Sequence, residues 1–446
     1  MRVLVVGLER SGLAALELLS RACSTPTLAG ATLVATDSRP IEEMPKAVEV
    51  LERLKVTFKQ QSPEVFEGSD WIVLSPGVPA DLEWIEAARR RGVKVIGEVE
   101  LAGMFLKGKI IGITGSNGKT TTTAMVGHIL RESGIPAQVG GNIGTAVTAL
   151  VESSRTEQWN VLELSSFQLE TIRDFRAHIG VCLNVTPDHL DRHHTLENYA
   201  AAKGRLFETQ QPGDYAVLNA DDAFCVGYSA LTSGMPLWFS STRAITPGVW
   251  VENGQLWFDG DPLMRAGDIP IRGRHNIENT MAAAAAARLA GAGLAGIASA
   301  VRSFRAVEHR LEFVRSVRGV DYYNDSKATN VDATLKALDA FDGSLWVILG
   351  GKDKDSDYTV LADALRKKAR SVLLIGAAAP KIAGQLDQGV PLVLAGTLQA
   401  AVKEAYAHAS AGDTVLLAPA CASFDQFENY EHRGKVFKQI VEELEA

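Results

Sequence analysis

The stretch that decides the fold is Ile111-Gly112-Ile113-Thr114-Gly115-Ser116-Asn117-Gly118-Lys119-Thr120-Thr121. It reads as an apolar strand, from Lys109 to Thr114, that runs into a glycine-rich turn and then into a helix beginning near Lys119. This layout is typical of a phosphate-binding loop, because glycines let backbone N–H groups converge on phosphate oxygens. A lysine then neutralises phosphate charge, and a threonine hydroxyl can ligate Mg2+. We expect triphosphate binding here, and a purely structural glycine turn is the alternative.

The spacing of this loop differs from the general pattern G-x-x-x-x-G-K-[ST] at one position. Ile113 stands where that pattern has its first glycine. The glycine, lysine and threonine residues therefore predict phosphate binding, while the general pattern does not account for Ile113.

Short apolar runs alternate with longer mixed stretches along the whole chain. Val3–Val6 and Trp71–Leu74 are such runs near the start, and Tyr215–Leu218 and Thr414–Leu417 lie further on. This rhythm predicts parallel strands joined by crossover helices, so we expect an α/β fold. The runs fall into three blocks, which we take as three domains: residues 1–98, 99–304 and 305–446.

Composition narrows the classes of protein that are possible. The chain has 446 residues, of which 46% are hydrophobic and 22% charged, and a net charge of -8. The negative charge disfavours a protein that wraps nucleic acid or lies on an anionic membrane. The run Met281–Val301 is mostly alanine and glycine with Arg288 inside, which predicts a buried helix and no membrane span. The four cysteines are far apart, which indicates a reducing, cytoplasmic compartment.

The first strand-to-helix turn, Gly7 to Gly12, resembles a dinucleotide-binding turn but lacks the middle glycine of G-x-G-x-x-G. A plain turn is therefore an open alternative, and an NAD-dependent dehydrogenase is disfavoured. Asp37 follows the second apolar run, Thr32–Thr36, and Ser75-Pro76-Gly77 follows the third, Trp71–Leu74. Open α/β sheets bind ligands at these strand ends, so a ligand site is expected there.

Three further groups in the central block are ambiguous when read from the residues alone. Glu163, near the end of an apolar strand, is either a metal ligand facing the loop or a capping or solvated glutamate. His189 lies in a loop rich in potential ligands, but a surface histidine is the more common case, and a zinc site lacks cysteines and H-E-x-x-H. Lys203 lies in a helical stretch among alanines, where a solvated charge is the ordinary interpretation.

Taken together, the motifs resemble the Mur ligase family of bacterial cell-wall synthesis over essentially the whole chain. The motifs that carry the resemblance occur in this order: Gly115–Thr120, Leu162–Glu170, Asn184–His189, Lys203-x-Arg205, His275-Asn276, Asn324–Asn330 and Pro419–Phe427. The family's phosphate loop has the same shortened spacing, so Ile113 no longer counts against ATP. The stretches Ser165–Leu169, Asn324–Asn330 and Ser423–Phe427 point to the branch that adds D-glutamate.

The resemblance implies a Rossmann-like first domain, a central phosphate-loop ATPase-like domain and a Rossmann-like α/β third domain. It also implies a cytoplasmic ligase of peptidoglycan synthesis, and hence of cell shape and division, that uses ATP and Mg2+. Lys119, His189 and Lys203 would be the catalytic residues. Thr120 and Glu163 would ligate one Mg2+, and His189 and a carbamylated Lys203 would ligate a second. The implied ATP contacts are Gly115, Ser116, Asn117, Gly118, Lys119, Thr120, Thr121, Asn276, Asn279, Arg310 and Asp325.

The implied partners are UDP-N-acetylmuramoyl-L-alanine, D-glutamate and ATP, with no nucleic acid. ATP would phosphorylate the acceptor's carboxylate, and the amino group of D-glutamate would attack the acyl phosphate. Residues matching the uridine diphosphate region are Ser11, Asp37, Arg39, Ser75, Pro76, Gly77 and Asn142. Those matching the amino-acid region are Lys327, Thr329, Lys354, Ser423 and Tyr430. Lys352 competes with Lys354 for its role, and Tyr430 stands where the family often has Phe.

Other functions remain as alternatives at this stage. Within the family, the alternative is a sister ligase that adds a different amino acid. Outside it, a phosphate-loop kinase or nucleotide switch would use the same loop, but it would not need the Asn324–Asn330 signature. A non-catalytic binding module would not need Lys119, Glu163, His189 and Lys203 together.

Overall fold

The computed structural model describes residues 1–23, 28–305, 307–353, 355–386 and 389–445. The chain divides into two compact units. One unit consists of Met1–Ala266 and Glu278–Val301, and the other of Gly267–Ile277 and Arg302–Ala446.

The first unit begins with a five-stranded parallel sheet. Its elements are β1 (Arg2–Val6), α1 (Arg10–Ala22), β2 (Thr32–Thr36), α2 (Pro45–Leu54), β3 (Thr57–Phe58), β4 (Trp71–Leu74), α3 (Glu83–Arg90), β5 (Lys94–Gly97) and α4 (Glu98–Gly103). The strand order is β3-β2-β1-β4-β5. The chain therefore reverses its direction of travel across the sheet between β1 and β4, which opens a crevice at the carboxyl ends of these strands.

The same unit contains a nine-stranded sheet. Its elements are β6 (Lys109–Thr114), α5 (Lys119–Glu132), β7 (Ala137–Gly141), α6 (Val147–Leu150), β8 (Trp159–Glu163), α7 (Ser166–Leu169), β9 (Ile179–Cys182), α8 (Leu190–His193), α9 (Leu196–Glu208), β10 (Tyr215–Asn219), α10 (Ala223–Gly227), β11 (Met235–Ser240), β12 (Gly248–Glu252), β13 (Gln255–Phe258), β14 (Asp261–Arg265), α11 (Arg274–Leu289) and α12 (Leu294–Ser303). Residues 274–277 of α11 and 302–303 of α12 belong to the other unit.

The strand order of this sheet is β14-β13-β12-β11-β10-β9-β6-β8-β7. The strands from β7 to β12 run parallel, and β12, β13 and β14 form an antiparallel edge. β6 is flanked by β8 and β9, with Ile113 opposite Glu163 and Thr114 opposite Cys182. The loops that follow these three strands therefore meet at one edge of the sheet.

The second unit is built on a six-stranded sheet. Its elements are β15 (Glu312–Val317), β16 (Val320–Asn324), α13 (Val331–Asp339), β17 (Leu345–Gly350), α14 (Ala362–Lys368), β18 (Ala369–Ile375), α15 (Ala379–Leu386), β19 (Leu392–Gly396), α16 (Leu398–His408), β20 (Thr414–Leu417) and α17 (Tyr430–Glu442). The order is β15-β16-β20-β17-β18-β19, and β15 is the antiparallel edge strand. The loops after β16, β17 and β20 meet at the carboxyl edge.

The predicted α/β class and its parallel sheets are confirmed. Central strands are apolar on both faces because helices cover both, and Val3 to Val6 of β1 are fully buried. Met281 to Ala287 of α11 are likewise fully buried, but the run Met281–Val301, predicted as one buried helix, forms parts of two helices because α11 ends at Leu289 and α12 begins at Leu294. Among the described residues, no helix is long and apolar enough to cross a membrane. The domain boundaries at 98/99 and 304/305 stay predictions.

Candidate active site

The phosphate loop, residues 115–121, joins β6 to α5 and is held by the loop that follows β9. Asn184 accepts from the backbone N–H of Asn117 through Oδ1 (2.9 Å) and donates to the Asn117 carbonyl through Nδ2 (3.2 Å). Ser116 Oγ donates to the Thr186 carbonyl (2.9 Å) and accepts from the Thr186 N–H (2.9 Å). The loop conformation is thus fixed from a neighbouring strand end before any ligand binds.

Gly118 is required at its position in the phosphate loop for two reasons. Its φ of 87° lies in the left-handed region, and a Cβ there would come within 2.1 Å of Asn279 Oδ1. This close approach places Asn279, a predicted ATP contact in the first unit, against the loop. Thr120 and Thr121 follow in the first turn of α5, where both side chains are buried.

Lys119 curls back over the phosphate loop. Its Nζ donates to the carbonyl oxygens of Gly115 (2.7 Å) and Ser116 (2.8 Å). A lysine held in this way keeps its ammonium at the mouth of the loop, where a phosphate would displace the two carbonyl contacts. Lys119, the predicted phosphate contact, therefore lies over the phosphate loop in the structure.

Glu163 ends β8 beside the phosphate loop, and its side chain is buried. Asn142 Nδ2 donates to Glu163 Oε1 (2.9 Å), whereas Oε2 is buried and has no hydrogen-bond partner among the described residues. A buried carboxylate oxygen without a donor is costly, and a divalent cation would satisfy it. The capping interpretation of Glu163 fails, because neither oxygen caps a helix.

His189 lies in the loop that follows β9, and its backbone φ of 53° is in the left-handed region. Its ring packs edge-on against Phe167 (centroids 4.8 Å apart), and Nε2 lies 3.6 Å from Asp188 Oδ2. The side chain is about half exposed, at 48%. A ring held by an aromatic neighbour and still open to solvent fits a ligand that receives a metal ion from outside.

Lys203 is only 1% exposed, so its interpretation as a solvated helix charge is wrong. Its Nζ donates to the Gly115 carbonyl (2.9 Å), the same oxygen that Lys119 contacts, and lies 4.3 Å above the Tyr199 ring. Burial lowers the pKa of Lys203 well below its usual value, and the nearby charge of Lys119 adds to this shift. The sequence places Lys203 on α9, but only the packing brings it under the phosphate loop.

A second feature of the first unit is a cavity of about 570 Å3, which we call the acceptor cavity. It lies at the carboxyl ends of β1, β2 and β4 and extends to the second sheet. Its lining residues are Gly7, Glu9, Arg10, Ser11, Asp37, Ser38, Arg39, Gln61, Ser75, Pro76, Gly77, Val78, Gly141, Asn142 and Gln168. All seven residues predicted for the uridine diphosphate region are among them.

Asp37 organises the floor of the acceptor cavity. Its Oδ2 accepts from the Leu8 backbone N–H (2.7 Å), and its Oδ1 accepts from the Arg39 backbone N–H (3.0 Å) and Nε (3.2 Å). Burial alone would raise the pKa of Asp37, but the hydrogen bonds from Arg39 and Leu8 outweigh it and lower this pKa. Arg39 also pairs with Glu9 (3.2 Å), so the charges of this cavity largely compensate one another.

The turn after β1 keeps the first and last glycines of the dinucleotide-binding pattern, although the middle glycine is absent. Ser75 Oγ donates to the Gly7 carbonyl (2.7 Å), and a Cβ on Gly12 would lie 1.8 Å from that same carbonyl oxygen. Gly7 and Gly12 are therefore required for close packing between the turn, the first helix and β4.

Sequence reasoning missed two residues at the junction between the acceptor cavity and the second sheet. Gln168 lines the cavity, and its Nε2 donates to Glu98 Oε1 (3.0 Å). Its Oε1 accepts from the Ser165 N–H (3.0 Å), within a capping box at the start of α7. Burial raises the pKa of Glu98. The spacing Ser-x-x-Gln signals the capping box, but nothing local signals the contact with Glu98.

The remaining predicted nucleotide contacts belong to the second unit. Asn276 Nδ2 donates to the Arg272 carbonyl (2.7 Å). Asp325 Oδ1 accepts from the Leu311 backbone N–H (3.3 Å), next to Arg310 in the chain. Burial raises the pKa of Asp325 to about 7, although the charge of Arg310 acts in the opposite direction.

Arg433 is a third residue that sequence reasoning missed, and it is fully buried in the second unit. It donates to Ser326 Oγ (2.9 Å) and to the Ser326 carbonyl (2.8 Å), and from NH1 and NH2 to the Cys421 carbonyl (3.2 Å each). Burial lowers the pKa of Arg433 to about 10. One guanidinium thus joins the loop after β16 to the loop after β20.

These two loops carry most of the residues predicted for the amino acid. Lys327 Nζ lies 3.7 Å above the Tyr430 ring, and the Tyr430 carbonyl accepts from Ser326 Oγ (2.9 Å). The Thr329 N–H donates to the Lys327 carbonyl (2.8 Å), and Ser423 is buried. The structure therefore gathers Lys327, Thr329, Ser423 and Tyr430 around connected loops, whereas Lys354 lies outside the described residues.

Lys352 is held directly to the Ser423 loop. Its N–H donates to the Ala422 carbonyl (2.8 Å), and the Ala422 N–H donates to the Lys352 carbonyl (3.2 Å). The loop after β17 is therefore the third member of this group of loops.

One cluster of possible metal ligands lies elsewhere in the described part of the second unit, at Glu308, His309 and Glu312. Lys438 Nζ already contacts Glu308 Oε1 (3.0 Å) and Glu312 Oε1 (2.6 Å). An ammonium between the two carboxylates takes the place a cation would need, so this cluster is a network of ion pairs.

Three family models match successive parts of the chain. "Mur ligase MurD-like, N-terminal domain" covers residues 1–97, "Mur ligase middle domain" covers 113–287, and "Mur ligase, glutamate ligase domain" covers 309–421. The chain is also 65% identical over 444 residues to "UDP-N-acetylmuramoylalanine--D-glutamate ligase" of Solibacter usitatus, covering 100% of this chain and 98% of the relative. It is 51% identical to the protein of that name from Acidobacterium capsulatum, covering 99% and 96%.

Solved structures share the fold at low identity. The UDP-N-acetylmuramate-alanine ligase of Thermotoga maritima matches with a TM-score of 0.60 at 19% identity, over 99% of both chains. The UDP-N-acetylmuramoylalanyl-D-glutamyl-2,6-diaminopimelate--D-alanyl-D-alanyl ligase of Acinetobacter baumannii matches with a TM-score of 0.63 at 18% identity, over 98% of this chain and 93% of that one.

Proposed function

This chain belongs to the Mur ligase family, and from that premise we propose that it joins D-glutamate to UDP-N-acetylmuramoyl-L-alanine with hydrolysis of ATP to ADP. The relatives that are 65% and 51% identical over almost their full length carry this activity in their names. The reaction belongs to the synthesis of peptidoglycan precursors, and we place it in the cytoplasm, where ATP and nucleotide-linked sugars are available.

The observation that carries the proposal is the connection between the acceptor cavity and the phosphate loop. Asn142 lines the acceptor cavity, and its Nδ2 donates to Glu163 Oε1 beside the phosphate loop. An acceptor whose nucleotide end fills the cavity would therefore extend its other end toward the groups that handle phosphate. This arrangement supports transfer of a phosphoryl group to the acceptor itself.

Mg2+ fits the residues beside the phosphate loop. The unpartnered Oε2 of Glu163 and the hydroxyl of Thr120 would hold one ion. Bound there, Mg2+ would spread the negative charge of the transferred phosphoryl group. Lys119 would add a fixed positive charge at the same phosphates and keep them in place.

Carbamylation of Lys203 would change the sign of its charge. Burial favours the neutral amine of Lys203 over the ammonium, and the neutral amine is a nucleophile. Its Nζ would attack the carbon of CO2 and release a proton. The product is a carbamate anion, which can bind a cation that an ammonium would repel. His189, across the same edge of the sheet, would supply the nitrogen ligand of the second Mg2+.

The reaction would proceed in two transfers. The terminal carboxylate of the acceptor attacks the γ-phosphorus of ATP, so ADP leaves and an acyl phosphate forms. The amino group of D-glutamate then attacks the acyl carbon, phosphate leaves, and the amine loses a proton as the amide forms. The loops of the second unit that carry Lys327, Thr329 and Ser423 would bind D-glutamate, and Arg310 and Asp325 would contact the nucleotide.

The experiment that tests this function measures phosphate release from ATP with UDP-N-acetylmuramoyl-L-alanine and a panel of amino acids. We expect release to depend on D-glutamate and to be far weaker with L-glutamate, L-lysine or meso-diaminopimelate. Equal turnover with one of these would assign the chain to a sister ligase, and release without any amino acid would favour a phosphate-loop kinase or hydrolase.

A further inference from the structure

The loop after β17 contains an acid that is fixed from three directions. Asp353 Oδ1 accepts from the Tyr358 hydroxyl (2.7 Å) and from the Ser356 backbone N–H (3.2 Å), and its Oδ2 accepts from Lys381 Nζ (2.6 Å). Burial opposes ionisation, but the contacts with Lys381 and Tyr358 outweigh it and lower the pKa of Asp353 to about 2. The carboxylate is therefore ionised at neutral pH.

Tyr358 extends this network to the loop after β20. The tyrosine is fully buried, and its hydroxyl oxygen lies 3.0 Å from Cys421 Sγ. Burial raises the pKa of Cys421 to about 11, so the thiol keeps its proton at neutral pH. A phenol has one proton, and the ionised carboxylate of Asp353 is the stronger acceptor. The direction of the bonds follows: the Cys421 thiol donates to Tyr358, and Tyr358 donates to Asp353.

The hydrogen-bond network runs from Asp353 through Tyr358 to Cys421. At each end, its last residue lies close in the chain to residues that are proposed to contact D-glutamate. Cys421 lies two residues before Ser423, and its carbonyl is held by Arg433. Asp353 lies between Lys352 and Lys354 in the chain, and the Lys352 backbone pairs with Ala422. The backbone pairing fixes the distance between the two loops at one point, and the Tyr358 hydroxyl fixes it at a second.

We propose that Tyr358 is a positioning residue for D-glutamate, and that its hydroxyl holds the loop after β17 in register with the Cys421–Ser423 segment. The inference rests on the proposed function, since it assumes that these two loops bind the carboxylates of the amino acid. Two carboxylates at a fixed separation need two binding groups at a fixed separation, and preorganising them lowers the cost of binding. Tyr358 touches no substrate and acts through the loops.

The test compares steady-state kinetics of the full-length protein and the variant Tyr358→Phe, which keeps the ring and removes the hydroxyl. We expect the KM for D-glutamate to rise roughly tenfold, because a buried hydrogen bond to a charged group is lost. The KM for ATP, the KM for UDP-N-acetylmuramoyl-L-alanine and kcat at saturating D-glutamate should each change less than about twofold, because the lost hydrogen bond affects only the binding of D-glutamate. Lys381→Met, which removes a partly exposed partner of Asp353, should give a smaller rise.

The matched control is Tyr322→Phe, since Tyr322 is buried on β16 of the same sheet and shows no hydroxyl hydrogen bond in the described part of the chain. A pair of variants at Cys421 gives a test that does not depend on the tyrosine. Cys421→Ser keeps a donor and should stay near wild type, whereas Cys421→Ala should raise the KM for D-glutamate. Adding Cys421→Ala to Tyr358→Phe should have little further effect, because the shared bond is already gone.

The outcomes separate the inference from the function it rests on. If wild-type phosphate release does not depend on D-glutamate, the proposed function fails. If it does, and Tyr358→Phe either matches Tyr322→Phe in its KM for D-glutamate or raises all three KM values alike, the positioning role is overturned. If thermal unfolding shows that Tyr358→Phe does not fold, the Cys421 variants provide the test. Equal KM values for D-glutamate in Cys421→Ser and Cys421→Ala would then overturn the positioning role.

Discussion

The phosphate loop and the acceptor cavity lie at the carboxyl ends of parallel strands in the same unit, but their charged groups are arranged differently. Around the phosphate loop, Lys119 and Lys203 share one carbonyl oxygen, and no described residue donates to the buried Oε2 of Glu163. In the acceptor cavity, Asp37 is saturated by hydrogen bonds from Arg39 and Leu8. The first region is electrostatically incomplete, and the second is complete before a ligand arrives.

This difference predicts where substitutions act. Groups that are satisfied only by ligands, metal ions and transferring charge should govern the rate of the chemical step. Groups that are already satisfied in the free protein should govern how well the substrate is held. We therefore expect changes at the phosphate loop to lower kcat, and changes in the acceptor cavity to raise KM.

The largest effect is expected for Lys119→Ala. Removing a charge that neutralises the phosphates during transfer should lower kcat by about a thousandfold or more. The measurement is phosphate release at saturating substrates. Lys109→Ala is the control, because Lys109 is an exposed lysine at the other end of the same strand. A Lys119→Ala enzyme with nearly normal kcat would remove the basis of the comparison.

Lys203→Ala should come next and should be nearly inactive, on the order of a hundredfold or more below wild type. If the lysine carries a carbamate, added formate or acetate should restore part of the activity by occupying the vacated anion site. Intact-mass measurement under CO2 would detect the modification directly. His189→Ala should also lose activity, but a carboxylate should not rescue it, since the carbamate remains in place. A free Lys203 in the active, Mg2+-loaded enzyme, with no rescue, would rule out the carbamate.

Glu163→Gln should have an intermediate effect that depends on the metal concentration. The amide keeps an oxygen that can accept from Asn142 but loses the negative charge that would bind Mg2+. We expect the Mg2+ concentration for half-maximal activity to rise about tenfold, with much of the rate recovered at high Mg2+. An unchanged Mg2+ titration would mean that the unpartnered oxygen has another purpose.

The two regions also differ in how far the sequence predicts them. β6, the turn and the start of α5 follow from local residues, because glycines, a lysine and an apolar run specify them within ten positions. Strands β11 to β14 were not predicted, and β12 to β14 form an antiparallel edge without the intervening helices on which the prediction rests. The edge strand β15 likewise joins β16 without a helix between them, and the edge strand β19 was also missed.

The residues that sequence reasoning missed share one physical property: their partners are distant in the chain. Gln168 contacts Glu98 across 70 positions, and Arg433 contacts Ser326 across 107. Lys203 was assigned to a helix correctly, but its burial depends on the loop 88 positions away that covers it. Local pattern fixes the element on which a residue lies, whereas the polar partner of a buried group depends on tertiary packing.

In the acceptor cavity, Asp37→Asn should raise the KM for UDP-N-acetylmuramoyl-L-alanine by about tenfold while kcat stays close to wild type. The substitution weakens the hydrogen bonds that fix Leu8 and Arg39 but leaves the phosphate loop unchanged. Asp70→Asn is the matched control, because Asp70 also accepts from a backbone N–H, that of Arg2, at the opposite edge of the same sheet. A large fall in kcat for Asp37→Asn would break the division between the two regions.

The smallest effect is expected at the junction of the two regions, for Glu98→Gln. Burial raises the pKa of Glu98, so the folded protein holds a proton that the unfolded chain releases as the pH rises from the unfolded pKa to the folded one. The free energy of unfolding therefore decreases with pH across that interval, and a glutamine, which does not titrate, removes this loss. Because the amide still offers an oxygen to Gln168, we expect a small rise in Tm at pH 8, no change at pH 4 and an almost unchanged kcat.

Glu100→Gln is the control for Glu98→Gln. Glu100 is equally buried but accepts from the backbone N–H groups of three consecutive residues, 173 to 175, so its amide should lower Tm at pH 8. If Glu98→Gln also lowers Tm at pH 8, Glu98 is ionised and stabilising in the folded protein, and the junction then resembles the saturated acceptor cavity more than the incomplete phosphate loop.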